Sequence, residues 1–382
     1  MTFADFFQSR KREWEQNQSF RQLKTHPGID FCSNDYLGLS KNQELVDRVL
    51  ESLRDVPLGS GSSRLIKGHS TNIHALEERL ASFCGREAAL FFPSGYQANL
   101  GIFSCLIKKG ARVFSDSLIH ASIIDGIKLA GGEKFIWQHN DLSHLESLLK
   151  ERARPDRLNF VVCESIYSMQ GDLAPLRELS QVCQRFGALL IVDEAHATGL
   201  YGDKGSGLVE ELQLQDQVFA TIHTGGKALG VSGAWVAGSK DLKTFMVNQS
   251  RPFIYSTAPS HHQQVAIFEA VNLIEEQGAE MRREFFLRLM TFQSKLNEKV
   301  HDHEFKLLGM GGPITSLVVG SNEKALNAME SLWKKGCDVR AIRYPTVPKN
   351  ESLLRMTIPL SRTSEEITQL FSALLSLIKE SL

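Results

Sequence analysis

Between residues 40 and 260 the chain repeats one pattern: a short apolar run, a turn, then a helical stretch. The runs fall at 88–92, 112–115, 160–163, 189–192, 218–222 and 235–237. Runs that are continuously apolar read as strands buried on both faces, and their alternation with helices predicts βαβ units in a largely parallel sheet. Upstream, Phe3, Phe6, Phe7, Trp14 and Phe20 stand among charges, which predicts an amphipathic helix lying on the body within 3–24. Residues 31–38 read as a short strand running into an Asn-Asp turn. Beyond about 265 the pattern changes to a long helix (roughly 262–300), strands at 314–319, 337–342 and 354–358, and a last helix at 365–379. The expected organisation is an N-terminal helix-and-strand segment (1–39), a large α/β domain (40–265) and a smaller α+β C-terminal domain (266–382).

Candidate chemistry gathers where the runs end. Val192-Asp193-Glu194-Ala195-His196 puts an Asp and a His at a strand's carboxyl end, where open α/β sheets bind ligands. Thr224-Gly225-Gly226-Lys227-Ala228-Leu229-Gly230 sets a lysine in a loop of small residues, where a flat ligand can approach the backbone. So cramped a setting desolvates the amine, lowering its pKa and making it a better nucleophile. A buried Asp, a nearby His and a loop Lys are the parts that hold pyridoxal phosphate (PLP): the lysine bonds the aldehyde and the carboxylate keeps the pyridine nitrogen protonated.

Each of these residues also has a plainer reading. Asp193 alone is what a helix N-cap looks like, although three titratable groups at one strand end favour a site. Asp193-Glu-Ala-His196 spells a helicase box, but no upstream G-x-x-x-x-G-K-[ST] loop accompanies it, which excludes a nucleotide motor. Gly59-Ser-Gly-Ser-Ser-Arg64 begins like a dinucleotide loop and then places a bulky Arg where a small residue is needed; a substrate-facing loop is the better expectation. Pro93–Asn99 follows a run and opens a helix, which makes an anion site or an ordinary βα turn. His120 stands at the next strand end, and Ser168 in a turn before Gly171. The pairs His69/His74, His261/His262 and His301/His303 lack acidic partners at metal spacing, so no metal is expected.

Composition narrows the classes. With 382 residues, 42% hydrophobic and 23% charged, the chain fits two packed lobes. A net charge of −1 gives no reason to expect nucleic acid or an anionic membrane as partner. Six scattered cysteines without C-x-x-C suit a reducing compartment. No run approaches a membrane span, and the acidic, aromatic N-terminus is no secretory signal. A soluble, cytoplasmic protein is expected.

Taken together, Ser33-Asn-Asp-Tyr-Leu-Gly38, Gly59-Ser-Gly-Ser-Ser-Arg64, Ser94-Gly-Tyr-Gln-Ala-Asn99, Asp193-Glu-Ala-His196 and Thr224-x-x-Lys227-Ala-x-Gly230 occur in the order found in the α-oxoamine synthases. The chain resembles these enzymes along essentially its whole length. The resemblance implies the fold-type I, aspartate aminotransferase-like PLP-transferase fold and a homodimer with shared active sites. It implies the decarboxylative condensation of an amino acid with an acyl thioester carried on CoA or an acyl-carrier protein. Residues 33–40 and 341–348, with Arg355, look most like members that join L-alanine to a pimeloyl thioester in biotin synthesis. Tyr344-Pro-Thr346-Val-Pro348 also occurs in glycine-using 5-aminolevulinate synthases, so 2-amino-3-ketobutyrate and 5-aminolevulinate chemistry stay open, as does a non-catalytic subunit.

By the same resemblance, Lys227 is the Schiff-base lysine, Asp193 partners the pyridine nitrogen, His120 stacks on the ring and His196 meets its phenolic oxygen. Gly95, Tyr96, Ser168 and Thr224 hold cofactor groups, with Ser256 and Thr257 reaching the partner's phosphate. Arg355 clamps the amino-acid carboxylate, and Arg21, Asn34, His120 and Thr346 touch substrate. Three departures stand out: His223 and Gly225 flank Thr224 where relatives carry apolar or aromatic residues, and Gln170 replaces a common Asp.

Overall fold

Seven strands form the sheet that the apolar runs predict. In spatial order they are Ala88–Phe92, Ala234–Gly238, Ala220–Thr224, Leu189–Asp193, Asn159–Glu164, Arg112–Asp116 and Glu133–Trp137. Only Ala234–Gly238 runs antiparallel to its neighbours; the other pairs are parallel. The inner strands are buried nearly throughout, which is why they read as unbroken apolar runs. Glu133–Trp137 lies at the edge with exposed Glu133 and Lys134, a polar start that hides it from an apolar scan and blunts the edge.

This computed structural model describes residues 1–23, 25–54, 56–300 and 305–379. The chain divides into two compact units. The larger comprises Leu37–Tyr167 and Leu173–Arg283, and contains the seven-stranded sheet. Its core on one sheet face joins Phe92, Phe103, Ile123, Val162 and Ile222, with helices Gly95–Leu106 and Ala121–Ala130 packed together over the strands.

The smaller unit comprises Met1–Tyr36, Ser168–Asp172 and Glu284–Leu382. It holds an antiparallel sheet in the order Arg340–Ile342, Ser352–Met356, Thr315–Gly320, Lys306–Leu308. Ile29–Asp30 pairs in parallel with Cys337–Asp338. The N-terminal helix spans Phe3–Gln16, opened by a Thr2/Asp5 capping box. Its apolar stripe is covered only in part: Phe3 is 80% exposed, with its ring near those of Phe6 (6.5 Å) and Phe7 (6.4 Å), whereas Trp14 is half-buried and stacks on Phe20 (6.3 Å).

The 40-residue helix His261–Val300 begins within one residue of the predicted start. Among the described residues no helix is long and apolar enough to cross a membrane.

Phe103, fully buried, belongs to the larger unit's core and brings its Cβ against Gly126 of helix Ala121–Ala130. Truncating it removes apolar contact and leaves a cavity, so Phe103→Ala is expected to lose about 3–5 kcal/mol in urea unfolding. A loss below about 1 kcal/mol would contradict this packing.

Candidate active site

The larger unit brings several of the expected residues to the carboxyl ends of its strands. Asp193 ends the central strand and is 5% exposed. A carboxylate so deep needs donors, and it has two: the Ala195 N–H donates to Oδ1 (2.9 Å) and Asn99 Nδ2 to Oδ2 (2.9 Å). His120 caps helix Ala121–Ala130, with its Nδ1 accepting from the Ser122 N–H at 3.3 Å. The ring keeps an exposed edge, yet the protein packed around it lowers its pKa. Asp193 opposes that shift and Lys227 reinforces it. One electrostatic field therefore couples His120, Asp193 and the half-buried Lys227. Tyr96 stands edge-on to His120, ring centres 6.5 Å apart, and its hydroxyl donates to Asp125.

The lysine loop is built by small residues. A Cβ at Gly230, where φ is +66°, would lie 2.3 Å from the Ser40 amide nitrogen, so only glycine closes the loop here. At Gly225 an ideal Cβ would lie 2.2 Å from Ile267 Cδ1, so a side chain here would displace that of Ile267. The Thr224 hydroxyl donates to the Gly233 carbonyl (3.2 Å) and accepts from the Gly226 N–H (3.2 Å). Thr224 also lies against Gly95, the first residue of a 12-residue helix whose N-cap is Ser94. That helix start, beside a threonine hydroxyl, suits an anion. His196 is buried in the turn after Asp193. Among the described contacts none ties Ser256 or Thr257 to this cluster; Thr257 bridges Ser63.

The smaller unit assembles the remaining residues. Arg355, 7% exposed, donates from Nε to the Ser168 carbonyl (2.8 Å) and from Nη2 to Asn34 Oδ1 (2.8 Å). The Tyr36 hydroxyl donates to the same Asn34 oxygen at 3.3 Å. Arg21 reaches the Thr346 hydroxyl (3.3 Å), and both line a cavity of about 260 Å³ with Arg343 and Tyr344.

In the larger unit a carboxylate, an imidazole, a primary amine and an anion-suited helix start with a hydroxyl thus occupy one set of strand ends. That donor set fits PLP. The aminotransferase class I and II family model matches residues 26–374. The chain is an α-oxoamine synthase of that family. It is 40% identical to the 8-amino-7-oxononanoate synthase of Alkalilimnicola ehrlichii over 91% of this chain and 87% of that one. Its fold matches a serine palmitoyltransferase variant from S. paucimobilis with a bound PLP–myriocin aldimine (TM-score 0.89, 25% identity, covering 100% and 99% of the two chains). It also matches the 8-amino-7-oxononanoate synthase of Francisella tularensis (TM-score 0.78, 27% identity, 92% and 98%). This α-oxoamine synthase is therefore a PLP-dependent acyltransferase, and its named relatives place it in biotin synthesis.

Several expectations need correction or addition. Arg64, which closes the glycine-serine loop expected to face substrate, is itself buried: it pairs with Glu77 Oε1 at 2.9 Å and lies over the Phe253 ring at 5.2 Å. Asn99 and Ser122 carried no expected role, although one sits a helical turn beyond Gly95 and the other two residues beyond His120. Glu194 is fully buried and accepts from the Ser165 hydroxyl (2.8 Å) and from the Leu208 and Val209 N–H groups (3.1 and 2.7 Å). Burial pushes its carboxyl up to about 7 against those donors. His301 and His303 lie outside the described residues.

His223, the departure beside Thr224, stacks on Trp235 (5.1 Å, 8°) and is held by the hydroxyls of Thr198 (2.9 Å) and Thr221 (2.7 Å). Burial drives its pKa down from 6.5 to about 3. A folded pKa below the unfolded one means that the unfolded chain takes up the proton first as pH falls. The stabilisation is thus complete above pH 6.5 and lost on acidification toward pH 3. Across that window the unfolding free energy should fall by ~1.4 kcal/mol more per pH unit in the wild type than in His223→Gln. Parallel pH–stability curves would contradict the neutral buried histidine.

Proposed function

We propose that this enzyme condenses L-alanine with a pimeloyl thioester, releasing CO₂ and the thiol carrier, to give 8-amino-7-oxononanoate. The observation that carries the reading is the shared field of Lys227, Asp193 and His120 at the strand ends, in a chain whose relatives bear that enzyme's name.

PLP, when bound, supplies the electron sink for a carbanion at the amino acid's Cα. The Lys227 amine would anchor the cofactor and, when free, would take the Cα proton as general base. Asp193, its charge fixed in place by two internal donors, would keep the cofactor's ring nitrogen protonated. His120 and His196 would hold the ring and its hydroxyl. Gly95, Tyr96, Ser168 and Thr224 hold the remaining cofactor groups. Ser256 and Thr257 serve the second site of a homodimer.

Arg355 takes the alanine carboxylate, a forked task that guanidinium performs and ammonium does not. Asn34, already bonded to Arg355, orients it, while Arg21 and Thr346 meet the acyl substrate. The new bond joins alanine's Cα to the thioester carbonyl carbon, and the thiolate leaves. The resulting β-keto acid then sheds its carboxylate as CO₂, and Cα is reprotonated.

Lys227→Ala is expected to lower turnover at least about a thousandfold and to remove both the visible absorbance band and borohydride fixation of the cofactor. A variant keeping all three would overturn the role of Lys227. Purified enzyme assayed with alanine or glycine against a panel of acyl thioesters should yield product with alanine and the pimeloyl chain. Preference for glycine would assign it instead to the 2-amino-3-ketobutyrate or 5-aminolevulinate branch.

A further inference from the structure

A continuous chain of hydrogen bonds runs from Asp193 to His120, and its direction can be read from donor counts alone. The Asp193 carboxylate accepts only, so Asn99 must turn its NH₂ toward it; the reversed amide would set two oxygens against each other. The same Nδ2 lies 3.0 Å from Ser122 Oγ and gives it its second hydrogen. Ser122 Oγ therefore accepts from Asn99 and is 2.7 Å from His120 Nδ1. The Ser122 backbone N–H, 3.3 Å away, also points at that nitrogen, where a hydrogen on Nδ1 would meet it head-on. This favours an acceptor Nδ1 whose single lone pair is shared by the Ser122 hydroxyl and N–H. Asn99, Ser122 and Asp193 are all at least nine-tenths buried, which keeps water from substituting for any member. Among the described residues the Asn99 carbonyl oxygen has no hydrogen-bond partner, and the side chain is held by its two donors.

We propose that Asn99 and Ser122 are positioning residues that fix His120 as a neutral imidazole carrying its hydrogen on Nε2. Both lone-pair directions of chemical use are then settled: Nδ1 is occupied from within, and Nε2 is a donor. In this form His120 is a hydrogen-bond donor and not a base, which leaves the Cα proton to Lys227. The charged and titratable groups facing the ring are Asp193 from the strand end, Lys227 from the glycine loop and Tyr96, bonded to Asp125, from the preceding helix. The inference rests on the PLP reading for its catalytic meaning, but the tautomer itself does not.

The test is ¹⁵N spectroscopy of histidine-labelled full-length protein, PLP-loaded and stripped, with His120 assigned through His120→Gln. The expected result is an unprotonated Nδ1 and a protonated Nε2 in both forms, with His120 titrating below an ordinary histidine. Ser122→Ala should shift its titration upward and mix the two tautomers. Ser122→Thr, which keeps the hydroxyl, should restore the wild-type spectrum. A hydrogen on Nδ1 in the wild-type protein, or a Ser122→Ala spectrum identical to it, would overturn the proposal. Loss of the visible band in PLP-loaded protein would instead count against the cofactor reading, so the two failures are distinguishable.

Discussion

Holding one carboxylate in a dry place, at the end of the middle strand of a seven-stranded sheet, is the constraint on which the site depends. Asp193 can stay there only because helix Gly95–Leu106 sends Asn99 to one oxygen and the turn after the strand sends the Ala195 N–H to the other. Neither donor comes from the sheet. The apolar packing of that helix over the strands, through residues such as Phe103 and Ile222, therefore determines where a charge can sit. The same helix start faces Thr224 and carries Tyr96 beside His120. Packing, charge placement and a helix start suited to an anion are three consequences of one helix position.

The neighbouring Glu194 shows the same logic with a different outcome. Its oxygens gather the Ser165 hydroxyl and two backbone N–H groups at the start of the short helix Leu208–Glu211. Asp193 and Glu194, adjacent in sequence, point to different tasks. One sits in the field of His120 and Lys227, and the other knits loops beneath them. Thr198 ties the Glu194 turn to the strand before the lysine loop, since its hydroxyl donates to the Glu194 carbonyl (2.8 Å) and lies 2.9 Å from His223.

Much of this was legible in the sequence where burial is two-sided. The run at 88–92 coincides with its strand, and those at 112–115, 160–163 and 189–192 fall within one residue of theirs at each end. Exposed or short strands were not legible: Glu133–Trp137 opens with two charges, and Lys306–Leu308 is too short to show a period, whereas the buried edge strand Ala88–Phe92 was. The single strand expected over 337–342 is two. Cys337–Asp338 pairs with Ile29–Asp30, whereas Arg340–Ile342 pairs with Ser352–Met356. Among site residues, Asp193 and Lys227 stood out because strand ends and glycine loops leave marks along the chain. Asn99 and Ser122 did not, because an amide or hydroxyl gains meaning only when two helices bring it to a carboxylate. The burial of Arg64 was hidden for the converse reason: its glycine- and serine-rich surroundings look like an open loop, but its charge pairs with buried Glu77.

The most direct test of the account is turnover and cofactor occupancy in Asp193→Asn, which keeps shape and removes charge. On the role proposed for Asp193, the neutral side chain would not keep the cofactor's ring protonated, so the variant should retain the visible PLP band while turnover falls about a hundredfold or more. Wild-type turnover at full occupancy would contradict the central role given to that carboxylate.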